Sequence, residues 1–197
     1  MAFVYAVALT GSIATGKSTA VSFLSDLGLD VIDADKIAHT ILNEEHRSIA
    51  QIFGHSLVED EVVNRKDLGK IVFSDAKARK KLENLLHPLI YTRIETMTQV
   101  LDKKKKPYLV DIPLFYEYNR YPIEKSLVVY TPETMQLQRL MNRDSSSLEE
   151  AQKRVSTQHS IEEKVKKANY VIDNSGTLAH LENECKRVHT EIMKDFI

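Results

Sequence analysis

Thr10-Gly11-Ser12-Ile13-Ala14-Thr15-Gly16-Lys17-Ser18-Thr19 decides how this chain of 197 residues is read. Residues 11–18 fit the phosphate-loop pattern G-x-x-x-x-G-K-[ST]. The run before it, Phe3-Val4-Tyr5-Ala6-Val7-Ala8-Leu9, is apolar and rich in strand formers. The run after it, Ser18-Thr19-Ala20-Val21-Ser22-Phe23-Leu24, has apolar residues at helical spacing. Strand, turn with glycines, helix is the context that gives the pattern physical meaning. Such a turn aims successive backbone N–H groups at a polyphosphate, and the helix N-terminus adds partial positive charge there. In that setting Lys17 bridges the β- and γ-phosphates and the Ser18 hydroxyl ligates Mg²⁺. A plain strand-to-helix turn with an incidental lysine is the competing reading, and the flanking pattern argues against it.

The bulk properties narrow the class. The length fits one domain, or one domain with an insertion, and allows a sizeable core. A net charge of -1 gives no global basic field, which argues against nucleic acid or an anionic membrane as the main partner. Cys185 is the only cysteine, so no intramolecular disulfide or multi-cysteine zinc site is expected, in keeping with a cytoplasmic setting. The apolar N-terminal run has no basic segment before it and leads straight into the loop, unlike a secretory signal. No apolar run reaches the ~18 residues needed to span a bilayer.

Working outward, residues 3–10 are expected as the first strand and 17–27 as the first helix, stopped by Gly28. Leu29-Asp30-Val31-Ile32 predicts a second strand, and Lys36 to Leu42 a helix. Strands alternating with helices imply a parallel sheet with helices on both faces. Ligands of such sheets bind beyond the carboxyl ends of the strands, where Asp33 is expected to stand with the loop. Asp33 has two readings: a helix N-cap, or a general base taking a proton from a substrate hydroxyl. Asp35 reads as a cap or as a group supporting Asp33. Residues 44–106 look mostly helical and form an insertion on the substrate side of the crevice. His87-Pro88 is expected to interrupt the helix there, because proline disfavours a helical conformation in the residue before it. Asn64-Arg65-Lys66-Asp67 misplaces the lysine of a guanine-reading N-K-x-D motif. Lys103 to Lys106 reads as a solvated helix end, since it lacks the aromatic partners of a nucleic-acid surface.

Tyr108-Leu109-Val110-Asp111 is the next strand, and its terminal acid has the Walker B placement that holds Mg²⁺ directly or through water. Ser126 to Tyr130 is a further strand. A helix after it is expected to be capped by Thr131 with Pro132 at its first position. Arg139 and Arg143 lie four apart on that helix, and Arg154 and Gln158 four apart on the next. Two helices around a polar hinge, with basic residues on facing sides, suit a lid over ATP phosphates; a solvated hairpin is the plainer reading. Tyr170-Val171-Ile172-Asp173 is the last strand, and residues 177–195 form a closing helix in which Cys185 packs. The seven histidines show no metal-ligand spacing.

The ordered set of the loop, Asp33-Ala34-Asp35-Lys36-Ile37-Ala38, His87-Pro88, Asp111-Ile112-Pro113-Leu114-Phe115-Tyr116-Glu117, Arg139 with Arg143, Arg154 with Gln158, and Tyr170-Val171-Ile172-Asp173-Asn174 resembles dephospho-coenzyme A kinase from about residue 4 to residue 176. The D-A-D, D-I-P-L and V-I-D-N segments are far more specific than the loop. Ser12 and Ala14 stand where the family usually has glycines, which makes the loop stiffer, and Tyr116 replaces a more usual leucine or phenylalanine. The resemblance implies an α/β fold: a P-loop kinase core with a parallel sheet flanked by helices, a helical substrate-binding insertion and a helical lid. It places the core in residues 1–34 and 107–197, the acceptor domain in 35–106 and the lid in 139–158.

The implied reaction moves the ATP γ-phosphoryl group to the ribose 3′-hydroxyl of dephospho-coenzyme A, the last step of coenzyme A synthesis. By the resemblance Asp33 is the base, with Lys17 and Arg143 as the other catalytic groups. Gly11, Ala14, Thr15, Gly16, Lys17, Ser18, Thr19, Arg139 and Asn174 hold ATP. Asp33, His87, Asp111, Pro113 and Leu114 hold the acceptor, and Ser18 and Asp111 hold Mg²⁺, directly or through water. No nucleic acid, membrane or obligate protein partner is expected. Two rivals remain at this stage: a P-loop kinase for nucleosides or nucleoside monophosphates, and a nucleotide-operated switch. The D-A-D and D-I-P-L segments speak against the first. The lack of a guanine-reading motif speaks against the second.

Overall fold

A computed structural model describes residues 2–196 and divides the chain into two compact units, Met1–Ile32 with Thr98–Ile197, and Asp33–Met97. The sheet consists of β1 (Ala6–Gly11), β2 (Val31–Asp33), β5 (Tyr108–Asp111), β6 (Lys125–Tyr130) and β7 (Tyr170–Asp173) in the order β2-β5-β1-β6-β7. The pairs β1/β5, β1/β6 and β6/β7 are all parallel. β1 is buried along its whole length, as expected of a central strand with both faces covered. Its neighbours put Asp111 beside Leu9 and Val129 beside Gly11, so two strand ends meet at the loop.

Helices α1 (Lys17–Asp26) and α10 (Leu178–Asp195) contribute Ala20, Leu24, Leu181, Cys185, Val188 and Ile192 to the core, against Val7, Leu9, Leu127, Val129 and Ile172 of the sheet. At roughly 25 cal/mol per Å² of apolar surface removed from water, this cluster is the main stabilisation of the unit. The first strand is shorter than expected. Phe3 has φ 64° and begins a turn closed by the Ala6 N–H donating to the Phe3 carbonyl, so regular pairing starts three residues later.

The second unit has its own core of Leu42, Ile49, Leu57, Val63, Leu68, Val72 and Ala78. It holds α2 (Ala34–Glu44), α3 (His46–Phe53), a short hairpin of β3 (Val58–Glu59) and β4 (Val62–Val63), and α4 (Arg65–Ser74). The hairpin was hidden in a stretch read as helical, because two-residue strands carry no readable periodicity. Asn64 of the misleading Asn64–Asp67 segment is a helix cap: its side chain accepts the Asp67 N–H.

The long helix α5 (Ala76–Asp102) runs through His87-Pro88 without a break, contrary to expectation. Proline costs about 3 kcal/mol in a helix interior. Here Leu82, Leu85 and Leu86 pack on the unit's core just before it, and Ile94 beyond it is fully buried. Burying several such side chains at ~1.5–3 kcal/mol each outweighs the lost hydrogen bond. The remaining helices of the first unit are α6 (Phe115–Tyr118), α7 (Glu133–Asp144), α8 (Leu148–Val155) and α9 (Ile161–Lys167). No described helix is long and apolar enough to cross a membrane.

Candidate active site

The loop owes its shape to two left-handed residues, Ala14 at φ 61° and Gly16 at φ 81°. Gly16 tolerates that conformation freely; Ala14 does so at a cost of roughly 1–2 kcal/mol. Ser12, the other residue at a position usually held by glycine, has no positive φ and fits without strain. Its hydroxyl is buried and has no hydrogen-bond partner.

Carbonyl groups of the loop are held in place by hydrogen bonds. The Ser12 carbonyl accepts from both the N–H and the hydroxyl of Thr15. The Thr15 carbonyl accepts from Asn174 Nδ2 at 2.7 Å and lies 3.1 Å from the Thr131 hydroxyl. Among the loop amides, the Thr15 N–H is taken by the Ser12 carbonyl and the Ile13 N–H by Gln158 Oε1. Gly16 stands at the N-cap of α1 and offers no side-chain acceptor, while its carbonyl takes the Thr19 N–H, so the Lys17 and Ser18 N–H groups open the helix. That arrangement binds anions.

Lys17 opens α1 and reaches Asp111 at the end of β5: its ammonium lies 2.5 Å from both Oδ1 and Oδ2. Asp111 is 7 % exposed, so the pair sits in a low-dielectric floor beneath the loop. Pro113, after the strand, accepts the Thr10 hydroxyl proton on its carbonyl at 2.9 Å and ties the strand ends together. Leu114 leads into α6.

Arg139 of α7 is built into the scaffold. It donates to the Thr131 hydroxyl at 3.2 Å and to the Asn174 carbonyl at 3.0 Å. Thr131 is therefore not the helix cap that was expected. Pro132 holds that position, and the fully buried Thr131 joins the loop to Asn174. Sequence reasoning missed this role, since a Thr-Pro pair before a helix reads locally as a cap. Arg143 and Arg154, from α7 and α8, converge on Asp144. These hydrogen bonds hold the Asp144 carboxyl down at about 2, Arg143 first and Arg154 next. Gln158 corrects another expectation: α8 ends at Val155, and Gln158 lies in the turn beyond it. Its Oε1 accepts the Ile13 N–H of the loop at 3.0 Å.

Asp33 ends β2 and begins the second unit. It is an N-cap in fact: Oδ1 accepts the Lys36 N–H at 2.9 Å, and the Lys36 ammonium lies 3.3 Å from Oδ2. The cap fixes the carboxylate's direction through Oδ1, with the exposed Lys36 ammonium beside Oδ2. His87 lies inside α5, not at a break. Ser18 and Thr19 are exposed in the first turn of α1.

Ser18 and Asp111 offer the hard oxygen ligands that Mg²⁺ takes, one or two from the protein with phosphate and water completing the shell. Among the described residues no group of three or more His, Cys, Asp or Glu could hold a metal alone. The donor set thus fits a metal brought with a nucleotide.

The sequence profile of dephospho-CoA kinase matches residues 5–180. A dephospho-CoA kinase of Sulfurimonas denitrificans is 48 % identical over 197 residues, 100 % of this chain and 98 % of that one. One from Wolinella succinogenes is 44 % identical over 194 residues, 98 % and 96 % of the two chains. The solved structure of dephospho-CoA kinase from Campylobacter jejuni superposes with a TM-score of 0.79 at 42 % identity, covering 98 % of this chain and 99 % of that one. With a family match across most of its length and relatives that span all of it, this chain belongs to the dephospho-CoA kinase family.

Proposed function

We propose that this protein transfers the γ-phosphoryl group of ATP to the ribose 3′-hydroxyl of dephospho-coenzyme A, giving coenzyme A and ADP. The observation that carries the residue assignments is the Lys17–Asp111 pair beside a loop whose Thr15 carbonyl is pinned by Asn174. It supplies an anion cradle with a cation in place. Membership of the family supplies the reaction.

Phosphoryl transfer has a loose transition state, so alignment and charge neutralisation do most of the work. Loop amides and Lys17 would hold the β- and γ-phosphates. Asp33 would orient the 3′-hydroxyl and take its proton late, a role typically worth about 10²–10⁴-fold. Arg143, now facing Asp144, would exchange that carboxylate for phosphate oxygens when the lid of 139–158 engages ATP. Arg139 and Asn174 would border the nucleotide, and Gly11 to Thr19 its phosphates. Ser18 and Asp111 would hold Mg²⁺, directly or through water, and the ion would supply neutralisation of phosphate charge when bound. The helical segment 35–106, with His87, would form the acceptor domain, and Pro113 and Leu114 would border the acceptor near Asp111.

The test is ADP release from ATP and Mg²⁺ with dephospho-coenzyme A, adenosine, AMP or no acceptor. Turnover confined to dephospho-coenzyme A is expected. Turnover with AMP or adenosine instead would refute the acceptor assignment while leaving the loop's role intact.

A further inference from the structure

We infer that Lys164 and Gln158, both beyond the lid helices, are positioning residues that hold the phosphate loop in its strained, binding-competent shape. The inference rests on the phosphate-loop reading above.

Lys164 is completely buried. Its ammonium donates to the Gly11 carbonyl at 2.8 Å and pairs with Glu117 Oε1 at 2.7 Å. Glu117 Oε1 also accepts the His159 N–H, while its buried Oε2 has no hydrogen-bond partner. A buried ion pair is no better for stability than well-packed apolar side chains of the same volume. An apolar side chain, however, could not donate to the Gly11 carbonyl. The pair's particular contribution is therefore the direction of that carbonyl.

Each peptide unit is planar, so fixing its oxygen fixes the N–H that follows. Lys164 sets the Gly11–Ser12 plane. Gln158 grips the Ile13 N–H and sets the Ser12–Ile13 plane. Asn174 and Thr131 hold the Thr15 carbonyl at the far side. Between these anchors lies Ala14 at φ 61°. A non-glycine residue keeps such a conformation only where its surroundings over-determine it. Here the anchors on the entering side are Gln158, in the turn after α8, and Lys164, within α9. The segment from the end of the lid into α9 thus shapes the loop.

Two variants test this without stranding a buried charge. Gln158→Leu removes the acceptor for Ile13. Lys164→Met with Glu117→Gln removes both charges and the donor to Gly11. Lys17→Ala is the control for the loop's role. Each is assayed with ATP and dephospho-coenzyme A varied in turn, beside thermal melting. The expected result is a KM for ATP raised about tenfold in each, with the KM for dephospho-coenzyme A within about twofold of the parent, since only loop alignment is lost. A purely structural role would lower the melting temperature and leave the KM for ATP unmoved. An unchanged KM for ATP in Gln158→Leu, or an equal rise for both substrates, with Lys17→Ala inactive, overturns the inference alone. If the paired variant does not fold, Gln158→Leu decides. Activity retained in Lys17→Ala would overturn the phosphate-loop reading and this inference with it.

Discussion

The Lys17 ammonium meets both carboxylate oxygens of Asp111 at 2.5 Å, across 94 residues of sequence. The lysine comes from the first turn of α1 and the acid from the end of β5. Parallel pairing of β1 with β5 makes the meeting possible, by bringing Asp111 level with Leu9 two residues before Gly11. The carboxylate occupies the lysine as a phosphate would. Lys17→Ala should therefore abolish phosphoryl transfer in a protein that still melts cooperatively, read by ADP release and circular dichroism. Removing Lys17 also takes the ammonium from beside the mostly buried Asp111 carboxylate, which costs stability by roughly 1–3 kcal/mol. Full activity in this variant would refute the assignment.

Asp33→Asn separates the two readings of Asp33. Asparagine caps a helix about as well as aspartate, so α2 should keep its start and the protein its stability. Asparagine cannot take a proton. Turnover should fall by about 10²–10⁴-fold while ATP binding, measured by calorimetry, stays near the parent value. Unchanged turnover would leave Asp33 a cap and nothing more.

The loop's two left-handed residues make opposite predictions. A Cβ on Gly16 would lie 2.2 Å from Asn174 Nδ2 and would also face the penalty of φ 81°. Gly16→Ala should displace Asn174 from the Thr15 carbonyl, destabilise by about 2 kcal/mol or more and remove activity. Ala14→Gly should relieve strain in the folded loop, at a cost in unfolded-chain entropy of about 0.5–1 kcal/mol, so its melting temperature should stay close to the parent's. A Gly16→Ala protein as stable and active as the parent would mean that the loop does not need this geometry.

Much of this arrangement was legible in the sequence because its signals are local. Gly11 to Ser18, the acid after an apolar strand at Asp111 and the segment 170–174 each carry their meaning within a few residues. Gln158 and Lys164 act on Ile13 and Gly11 from some 150 residues away, and no spacing rule announces such a bond. Thr131 misled for the same reason: its local cap signature is good, and its actual partners, Thr15 and Asn174, lie far along the chain. Pro88 was misjudged because intrinsic preference was weighed without the apolar packing that overrides it.

In the absence of ATP, Asp144 should act as a clamp whose release needs strong acid. Its carboxyl is held at about 2 by Arg143 and Arg154. A carboxyl lowered in the folded protein contributes above its unfolded value of about 3.9 and loses that contribution as pH falls towards the folded value. The arginine side-chain N–H resonances of Arg143 and Arg154 should thus stay in place from neutral pH down to about 4 and shift between about 4 and 2. A midpoint at or above the ordinary carboxylate value would mean that the clamp does not persist in solution. Asp144→Ala should free both arginines at neutral pH and speed proteolysis at Ser145–Ser147.

Pro88→Ala addresses the helix that sequence alone would have broken. At position 88 proline supplies no N–H to the carbonyl of Asn84, and its ring crowds that carbonyl. Alanine restores the bond and relieves the crowding, worth ~3 kcal/mol in an ordinary helix, while the more flexible unfolded chain takes back about 0.4–1 kcal/mol. A net gain of about 2 kcal/mol, several degrees in melting temperature, is the expected outcome. If His87 contacts the acceptor as proposed, the altered backbone of α5 beside it should also raise the KM for dephospho-coenzyme A and leave the KM for ATP alone. A gain in stability with both constants unchanged would reduce Pro88 to a tolerated defect and remove His87 from the acceptor site. No gain at all would show that α5 accommodates the proline without strain.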